Sequence, residues 1–202
     1  MMVIRSAEFV KSSPSYKDCP RAPFPEYAFL GRSNVGKSSL INMLTSHGKL
    51  AKISSTPGKT RLINHFLINN KWYLADLPGY GFAKVSKSEK MTWEKTIRDY
   101  MFYRENLLCS FILIDIRHDL QKNDREFLTW VGTNELPFCI LFTKADKLSG
   151  SKIPQQLSRF RQALSEQWEP LPPMIVSSSQ TGKGREEILK LIDDCNNDFF
   201  AR

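Results

Sequence analysis

The stretch GRSNVGKSSL, from Gly31 to Leu40, decides the fold of this chain. A glycine, four residues and then Gly-Lys-Ser is the spacing of a loop whose backbone N–H groups surround a phosphate. The apolar segment EYAFLG (26–31) predicts a buried strand before the loop, and KSSLINMLTS (37–46) predicts a helix after it. This order places an anion at the positive end of a helix. Lys37 is then expected to reach the β- and γ-phosphates, and the Ser38 hydroxyl to bind Mg²⁺.

A second segment supplies the carboxylate that such a site needs. The predicted strand WYLAD (72–76) ends at Asp76, and Leu77-Pro78-Gly79 follows directly. We expect Asp76 to approach the magnesium ion. We expect the Gly79 N–H to meet the γ-phosphate, because a residue without a side chain lets the backbone come close.

The segment TKAD (143–146) follows the apolar strand FCILF and indicates which base is held. The Asp146 carboxylate can accept hydrogen bonds from guanine N1–H and the exocyclic amine, a donor pair that adenine lacks. The aliphatic stem of Lys144 can cover the base. Backbone amides near Ser178 and Ser179, in SSSQTGKG (177–184), could meet guanine O6. The motifs together predict a guanine-nucleotide site.

Length and composition fit one globular domain. The chain has 202 residues, of which 41% are hydrophobic, and four widely spaced cysteines that form no CxxC pair. The sequence contains no apolar run long enough for a signal peptide or a membrane span, so we expect a cytoplasmic protein that does not contact membranes. The net charge of +8 favours RNA, DNA or another anionic partner, although many soluble proteins are mildly basic without such a partner.

Strands and helices alternate along the chain, which predicts an α/β fold: a three-layer sandwich with a mostly parallel six-stranded sheet and one antiparallel strand. The antiparallel strand comes from RLINHFLIN (61–69), which a turn at Asn69-Asn70-Lys71 joins to WYLAD. Residues 1–25 are predicted as an N-terminal arm, with a short edge strand near Val3–Ile4, and 26–202 as the nucleotide-binding domain. Helix 88–106 is expected to be capped by Ser88, and His65 to be exposed to solvent.

Five segments together resemble one family. GRSNVGKSS, STPGKTRL, DLPGYGFAKV, DIRH and TKAD are similar to the EngB (YihA/YsxC) family of bacterial ribosome-biogenesis GTPases, within the TrmE-Era-EngA-EngB-septin-like class, from about Glu26 to Leu191. The resemblance implies a P-loop GTPase fold and GTP as substrate. It also implies that the Thr60 hydroxyl joins Ser38 on Mg²⁺, and that Gly58–Leu62 senses the nucleotide. It further implies a role in large ribosomal subunit assembly and in normal cell division or septation.

Motifs and resemblance together define the predicted site. Lys37, Thr60 and Gly79 are expected to act on the γ-phosphate, and Ser38, Thr60 and Asp76 on the metal. The full predicted nucleotide-contacting set is Gly31, Arg32, Ser33, Asn34, Val35, Gly36, Lys37, Ser38, Ser39, Gly58, Lys59, Thr60, Arg61, Leu62, Asp76, Leu77, Pro78, Gly79, Thr143, Lys144, Ala145, Asp146, Ser177, Ser178 and Ser179.

Two positions bear on the hydrolysis rate. Tyr80 follows DLPG, where Ras-like enzymes carry a water-orienting glutamine, so we expect slow intrinsic hydrolysis stimulated by a partner or by K⁺. Asn34 is the candidate for holding K⁺ near the phosphates, and an alternative is that it only shapes the loop.

Two functions remain open. The chain could be a monomeric GTP-driven switch that binds the large ribosomal subunit or its precursor. Alternatively, it could bind rRNA constitutively and keep GTP or GDP as a structural ligand with negligible hydrolysis.

Overall fold

The computed structural model describes residues 2–21, 23–46, 50, 62–80 and 87–201, without the side chains of residues 87, 89 and 90. The strands are β1 Ala7–Ser13, β2 Glu26–Gly31, β3 Ile63–Ile68, β4 Trp72–Asp76, β5 Leu107–Asp115, β6 Phe138–Thr143 and β7 Met174–Val176. The helices are α1 Lys37–Thr45, α2 Lys87–Tyr103, α3 Lys122–Thr133, α4 Lys152–Ser165 and α5 Arg185–Phe200.

The seven strands form one sheet in the order β1-β3-β4-β2-β5-β6-β7. Strand β3 runs antiparallel to both of its neighbours, β1 and β4, and the other pairs are parallel. The α/β fold with one antiparallel strand is therefore confirmed, whereas the predicted number of six strands was one too few.

The additional strand is β1, which lies inside the segment predicted as an arm. The predicted edge strand near Val3–Ile4 was misplaced, because pairing with β3 extends from Ala7 to Ser13. Most side chains of β1 are exposed, so its sequence carries little of the apolar alternation that marks a half-buried strand. Backbone pairing with β3 holds it in place, and Asn69 accepts hydrogen bonds from the Arg5 and Ser6 amides.

Two apolar layers cover the two faces of the sheet. Alternation along β2 sends Tyr27 and Phe29 to the face that α1 and α5 cover, and Ala28 and Leu30 to the face of α2, α3 and α4. Strands β5 and β6 are buried on both faces, which explains why their sequences are continuous apolar runs. The sheet is thus a rigid support whose loops carry the polar residues.

Helix α2 begins at Lys87, so Ser88 lies within the helix and the predicted cap at Ser88 was wrong. The Thr92 hydroxyl donates to the Ser88 carbonyl at 3.0 Å, a contact made inside a helix. The apolar face predicted for this helix is confirmed, because Trp93, Ile97, Tyr100 and Met101 are buried.

His65 is fully buried, so the prediction that it faces solvent was wrong. The two-residue period of β3 places His65 on the same face as Ile63, and α2 covers that face. Its Nε2 lies 3.2 Å from Oε1 of Glu26, the first residue of β2. All four cysteines are free thiols. Within the described part of the chain, no helix has the length and apolar character to cross a membrane.

Candidate nucleotide-binding site

The glycine loop connects β2 to α1 and has the backbone that close approach to an anion requires. Gly36 caps α1 with φ +100°, and Asn34 has φ 62°, a left-handed conformation that asparagine tolerates better than most residues. A Cβ atom on Gly31 would lie 2.8 Å from the Leu113 carbonyl oxygen, so any larger residue would clash with β5. Gly36 also starts the helix, because its carbonyl accepts from the Leu40 amide at 2.9 Å.

Lys37 and Asp76 meet at the base of this loop. The Lys37 ammonium forms an ion pair with Asp76 Oδ1, and both side chains are largely buried. Burial disfavours the lysine charge and lowers the pKa of Lys37 to about 7. A neighbouring anion favours the charged ammonium, and Asp76 is that anion in this structure. The pair shows that Lys37 and the end of β4 reach the same point.

The segment after Asp76 runs alongside the glycine loop. The Leu77 amide donates to the Phe29 carbonyl at 3.0 Å, and the Tyr80 amide donates to the Gly31 carbonyl at 3.2 Å. Leu77, Pro78 and Gly79 are therefore held between two fixed points beside the loop, and all three are buried. Ser38 and Ser39 occupy the first turn of α1, where both are partly exposed.

The TKAD segment is attached directly to the glycine loop. The Thr143 hydroxyl donates to the Val35 carbonyl at 2.6 Å, and the Lys144 ammonium donates to the Asn34 carbonyl at 2.6 Å. Lys144 adopts φ 62° and also lies 2.9 Å from Asp115 Oδ2. These contacts fix the distance between the predicted base-binding and phosphate-binding segments.

Asp146 is oriented by the serine loop after β7. The Ser178 hydroxyl donates to Asp146 Oδ1 at 2.7 Å, and this bond lowers the pKa of Asp146. The Ala145 amide donates to the Ser177 carbonyl at 3.1 Å, which joins the two segments through the backbone as well. The Ser178 amide already donates to the Lys183 carbonyl, so Ser179 has the better placed amide for a ligand.

The sequence did not assign a role to Asp115 or to the side chain of Ser178. Asp115 ends β5 and accepts hydrogen bonds from Arg117 and Lys144, which hold the pKa of Asp115 well below its usual range. The Ser178 side chain orients Asp146, whereas only its amide was considered. An acidic residue at the carboxyl end of a central strand was the available signal for Asp115. The role of Ser178 depends on a contact between distant segments.

The predicted site residues that the structure describes converge on one edge of the sheet. The glycine loop, Asp76–Gly79, TKAD and the serine loop follow the carboxyl ends of β2, β4, β6 and β7, an edge that binds ligands in many α/β folds. Leu62 is 40% exposed and precedes β3, whose antiparallel direction brings its first residues to the same edge. The predictions for Gly58, Lys59, Thr60 and Arg61 fall outside the described residues.

The oxygen donors of this site would hold magnesium together with ligands supplied by a bound nucleotide. The Ser38 hydroxyl and the Asp76 carboxylate are hard oxygen donors of the type that Mg²⁺ prefers. No group of three or more His, Cys, Asp or Glu residues able to hold a metal occurs among the residues described. The remaining ligands would therefore come from phosphate oxygens and water, as is usual for this ion.

Comparison with known proteins agrees with this geometry. A family model described as "50S ribosome-binding GTPase" matches residues 26–144. The probable GTP-binding protein EngB of Flavobacterium psychrophilum is 56% identical over 202 residues, covering 100% of this chain and 98% of that one.

Solved structures share the fold. The crystal structure of a probable GTP-binding protein engB has a TM-score of 0.65 at 24% identity, covering 86% of this chain and 99% of that one. NFeoB from S. thermophilus bound to GDP.AlF4- and K⁺ has a TM-score of 0.61 at 21% identity, over 83% of this chain and 60% of that one. By its family model and its close relatives, the chain belongs to the EngB family of GTP-binding proteins.

Proposed function

We propose that this GTP-binding protein hydrolyses GTP slowly and acts as a switch in assembly of the large ribosomal subunit. The observation that carries the proposal is the attachment of TKAD to the glycine loop through Lys144 and Thr143. This attachment supports a site in which the Asp146 carboxylate reads the base and the glycine loop binds the phosphates. The family description "50S ribosome-binding GTPase" and the net charge of +8 support a ribosomal partner.

In this proposal, guanine is selected by Asp146. Its carboxylate accepts from N1–H and the exocyclic amine, while the Ser178 hydroxyl keeps the carboxylate in one orientation. The Ser179 amide donates to O6. The stem of Lys144 lies along the base and its ammonium remains bonded to the Asn34 carbonyl.

The phosphate end is bound by Lys37 and the loop amides. On nucleotide binding, Lys37 exchanges Asp76 for the β- and γ-phosphates, which also favour its charged form. Ser38, Asp76 and Thr60 would hold the magnesium ion, which neutralises charge on the phosphate oxygens when bound. The Gly79 amide donates to the γ-phosphate. GTP thereby tethers residues 58–62 and 76–79, and hydrolysis releases them.

The position of Tyr80 supports the proposal that intrinsic hydrolysis is slow. The Tyr80 hydroxyl donates to Asp124 at 3.0 Å and the side chain is buried, so this hydroxyl is already engaged and is not offered to an attacking water. Stimulation would then come from the ribosome or from K⁺ held beside exposed Asn34. Steady-state hydrolysis in K⁺ and in Na⁺ at equal ionic strength tests the ion, and equal rates would contradict K⁺ stimulation.

The test of the switch is sedimentation with large ribosomal subunits through a gradient, with a non-hydrolysable GTP analogue or with GDP. Salt must be held constant because contacts to RNA phosphates are strongly salt-dependent. We expect co-sedimentation with the analogue and its loss with GDP. Equal binding in both states would favour the constitutive rRNA-binding alternative, and no binding in either would contradict a mature large subunit as partner.

A matched pair of variants sharpens this test. Thr60→Ala should bind GDP normally but lose analogue-dependent sedimentation, because its hydroxyl is needed only with the γ-phosphate present. Thr129→Ala, on the exposed face of α3, is the control and should behave as the unmodified protein. A proposed direct role in cell division would require division defects that precede any fall in ribosome number.

A further inference from the structure

Asp124, in the first turn of α3, joins two parts of the nucleotide site. Its side chain is almost fully buried, and Oδ1 accepts from the Tyr80 hydroxyl at 3.0 Å. Its Oδ2 lies 4.0 Å from Nη1 of Arg32, the second residue of the glycine loop. One carboxylate therefore faces both the glycine loop and the residue that follows Gly79.

Tyr80 is held from three directions. Its amide donates to the Gly31 carbonyl at 3.2 Å, its ring stacks on Phe127 with centroids 4.5 Å apart, and its hydroxyl reaches Asp124. The side chain is 5% exposed. Since Gly79 is the preceding residue, the position of Tyr80 limits the orientations that the Gly79 amide can adopt.

We propose that Asp124 is a positioning residue that, through Tyr80, orients the Gly79 amide toward the γ-phosphate and so contributes to discrimination between GTP and GDP. The proposal rests on the proposed contact of Gly79 with the γ-phosphate. GDP lacks that phosphate, so the orientation of Gly79 matters to GTP alone. If the Tyr80 side chain were released from Asp124, the Gly79 amide could adopt more conformations. GTP binding would have to restrict these conformations, whereas GDP binding would not.

Asp124 has few polar partners for a buried carboxyl group. Its partners are one hydroxyl and one guanidinium at 4.0 Å, and burial raises the pKa of Asp124 above its usual value. The Arg32 side chain is 39% exposed, so water screens much of its charge.

The chain offers a matched pair of tyrosines for the test. Tyr80→Phe removes a buried hydroxyl bonded to Asp124, and Tyr100→Phe removes a buried hydroxyl bonded to Glu26. Both variants keep the ring and its packing. Equilibrium dissociation constants for a GTP analogue and for GDP are measured in one buffer, together with the melting temperature.

We expect Tyr80→Phe to raise the ratio of the analogue constant to the GDP constant about fivefold or more. Tyr100→Phe should lower the melting temperature and leave the ratio within about twofold. As a second readout, the Tyr80→Phe/Asp124→Ala double variant should change the ratio no more than Asp124→Ala alone. Both substitutions remove the same contact, between the Tyr80 hydroxyl and Asp124.

An unchanged ratio in Tyr80→Phe, or equal weakening of both nucleotides, would overturn the role of Asp124. That failure differs from failure of the proposed function. If the unmodified protein bound the analogue and GDP no better than the adenine counterparts, the guanine site itself would be contradicted, and the role of Asp124 with it.

Discussion

Two buried tyrosine–carboxylate pairs occupy opposite ends of the sheet and differ in how fully the carboxylate is satisfied. Glu26 begins β2 at the end away from the glycine loop. It accepts from the Tyr100 hydroxyl and from Arg104 Nε at 3.0 Å and Nη2 at 2.8 Å, and His65 Nε2 lies 3.2 Å away. Asp124, at the nucleotide end, has the Tyr80 hydroxyl and a more distant guanidinium.

The two buried carboxyl groups have opposite net pKa shifts. Burial raises the pKa of both, but the hydrogen bonds and charges of the groups around Glu26, Arg104 among them, outweigh it there and lower the pKa of Glu26 to about 2. At Asp124 burial dominates and the pKa rises. Burial alone therefore does not decide whether a charge stabilises the fold. The Glu26 end is fixed structure, whereas the nucleotide end retains groups that can change partners.

The largest effect is expected from Lys37→Ala, which disables the nucleotide end alone. We expect kcat/KM for GTP to fall about 10²–10³-fold, because the ammonium stabilises charge on the transferring phosphate. The free energy of unfolding should also fall, by about 3 kcal/mol, because Asp76 stays buried without its cation, so the rate is measured at a temperature where the variant is folded. Lys190→Ala, at an exposed lysine, is the control. Activity retained within tenfold would contradict the assignment.

The converse change is Glu26→Gln, which should damage stability and spare function. Removing one partner of a buried ion pair leaves the Arg104 guanidinium without its anion, at a cost of about 3–5 kcal/mol in the free energy of unfolding. Urea denaturation measures it, with Glu8→Gln on exposed β1 as the control. The GDP dissociation constant of the folded fraction should stay within about twofold, and a large change would show that the two ends are coupled.

Lowering the pH should reveal the contribution of ionised Glu26 to stability. The folded-state pKa of Glu26 lies below its unfolded value of 4.5, so its contribution is complete above pH 4.5 and is lost as the pH falls toward 2. A shift of this size corresponds to about 3 kcal/mol. Urea titrations between pH 6 and pH 2.5 should show this loss in the unmodified protein. This loss should be absent in Glu26→Gln. If the free energy of unfolding fell with pH equally in both proteins, the account would be contradicted.

The smallest effect is expected from Asp124→Asn at pH 7. The pKa of Asp124 is raised, so the protonated form is favoured in the folded state. The stability that this protonated form contributes is lost as the pH rises through the folded pKa. A neutral amide of the same shape should therefore change the free energy of unfolding by less than about 1 kcal/mol. Loss of several kcal/mol in urea denaturation would place Asp124 in the same class as Glu26.

The sequence predicted what local chemistry determines. The glycine loop, DLPG and TKAD each have a residue pattern whose function depends on the adjacent backbone, and continuous apolar runs marked β5 and β6. The fold class followed from the alternation of such segments. Strand β1 was misplaced because edge pairing through the backbone leaves little trace in the side chains.

The buried polar network was not predictable because it depends on tertiary contacts. His65 and Glu26 lie on different strands, far apart in the sequence, and nothing near either residue indicates the other. Likewise, Asp124 and Tyr80 meet only because α3 packs beside the segment that follows β4. Ser178 orients Asp146 for the same reason. Sequence motifs identified the groups expected to touch the ligand, and the structure was needed to find the groups that hold them.

Base selection by Asp146 is the most direct test of the account, because it requires the TKAD and serine loops to act as one site. Dissociation constants for GDP, ADP and XDP are measured by fluorescence competition on the unmodified protein and on Asp146→Asn. The account predicts that the unmodified protein prefers GDP. Asp146→Asn should lose about 10²-fold or more for GDP and gain affinity for XDP, whose C2 carbonyl accepts from the new amide. Unchanged GDP affinity in Asp146→Asn would contradict the guanine site.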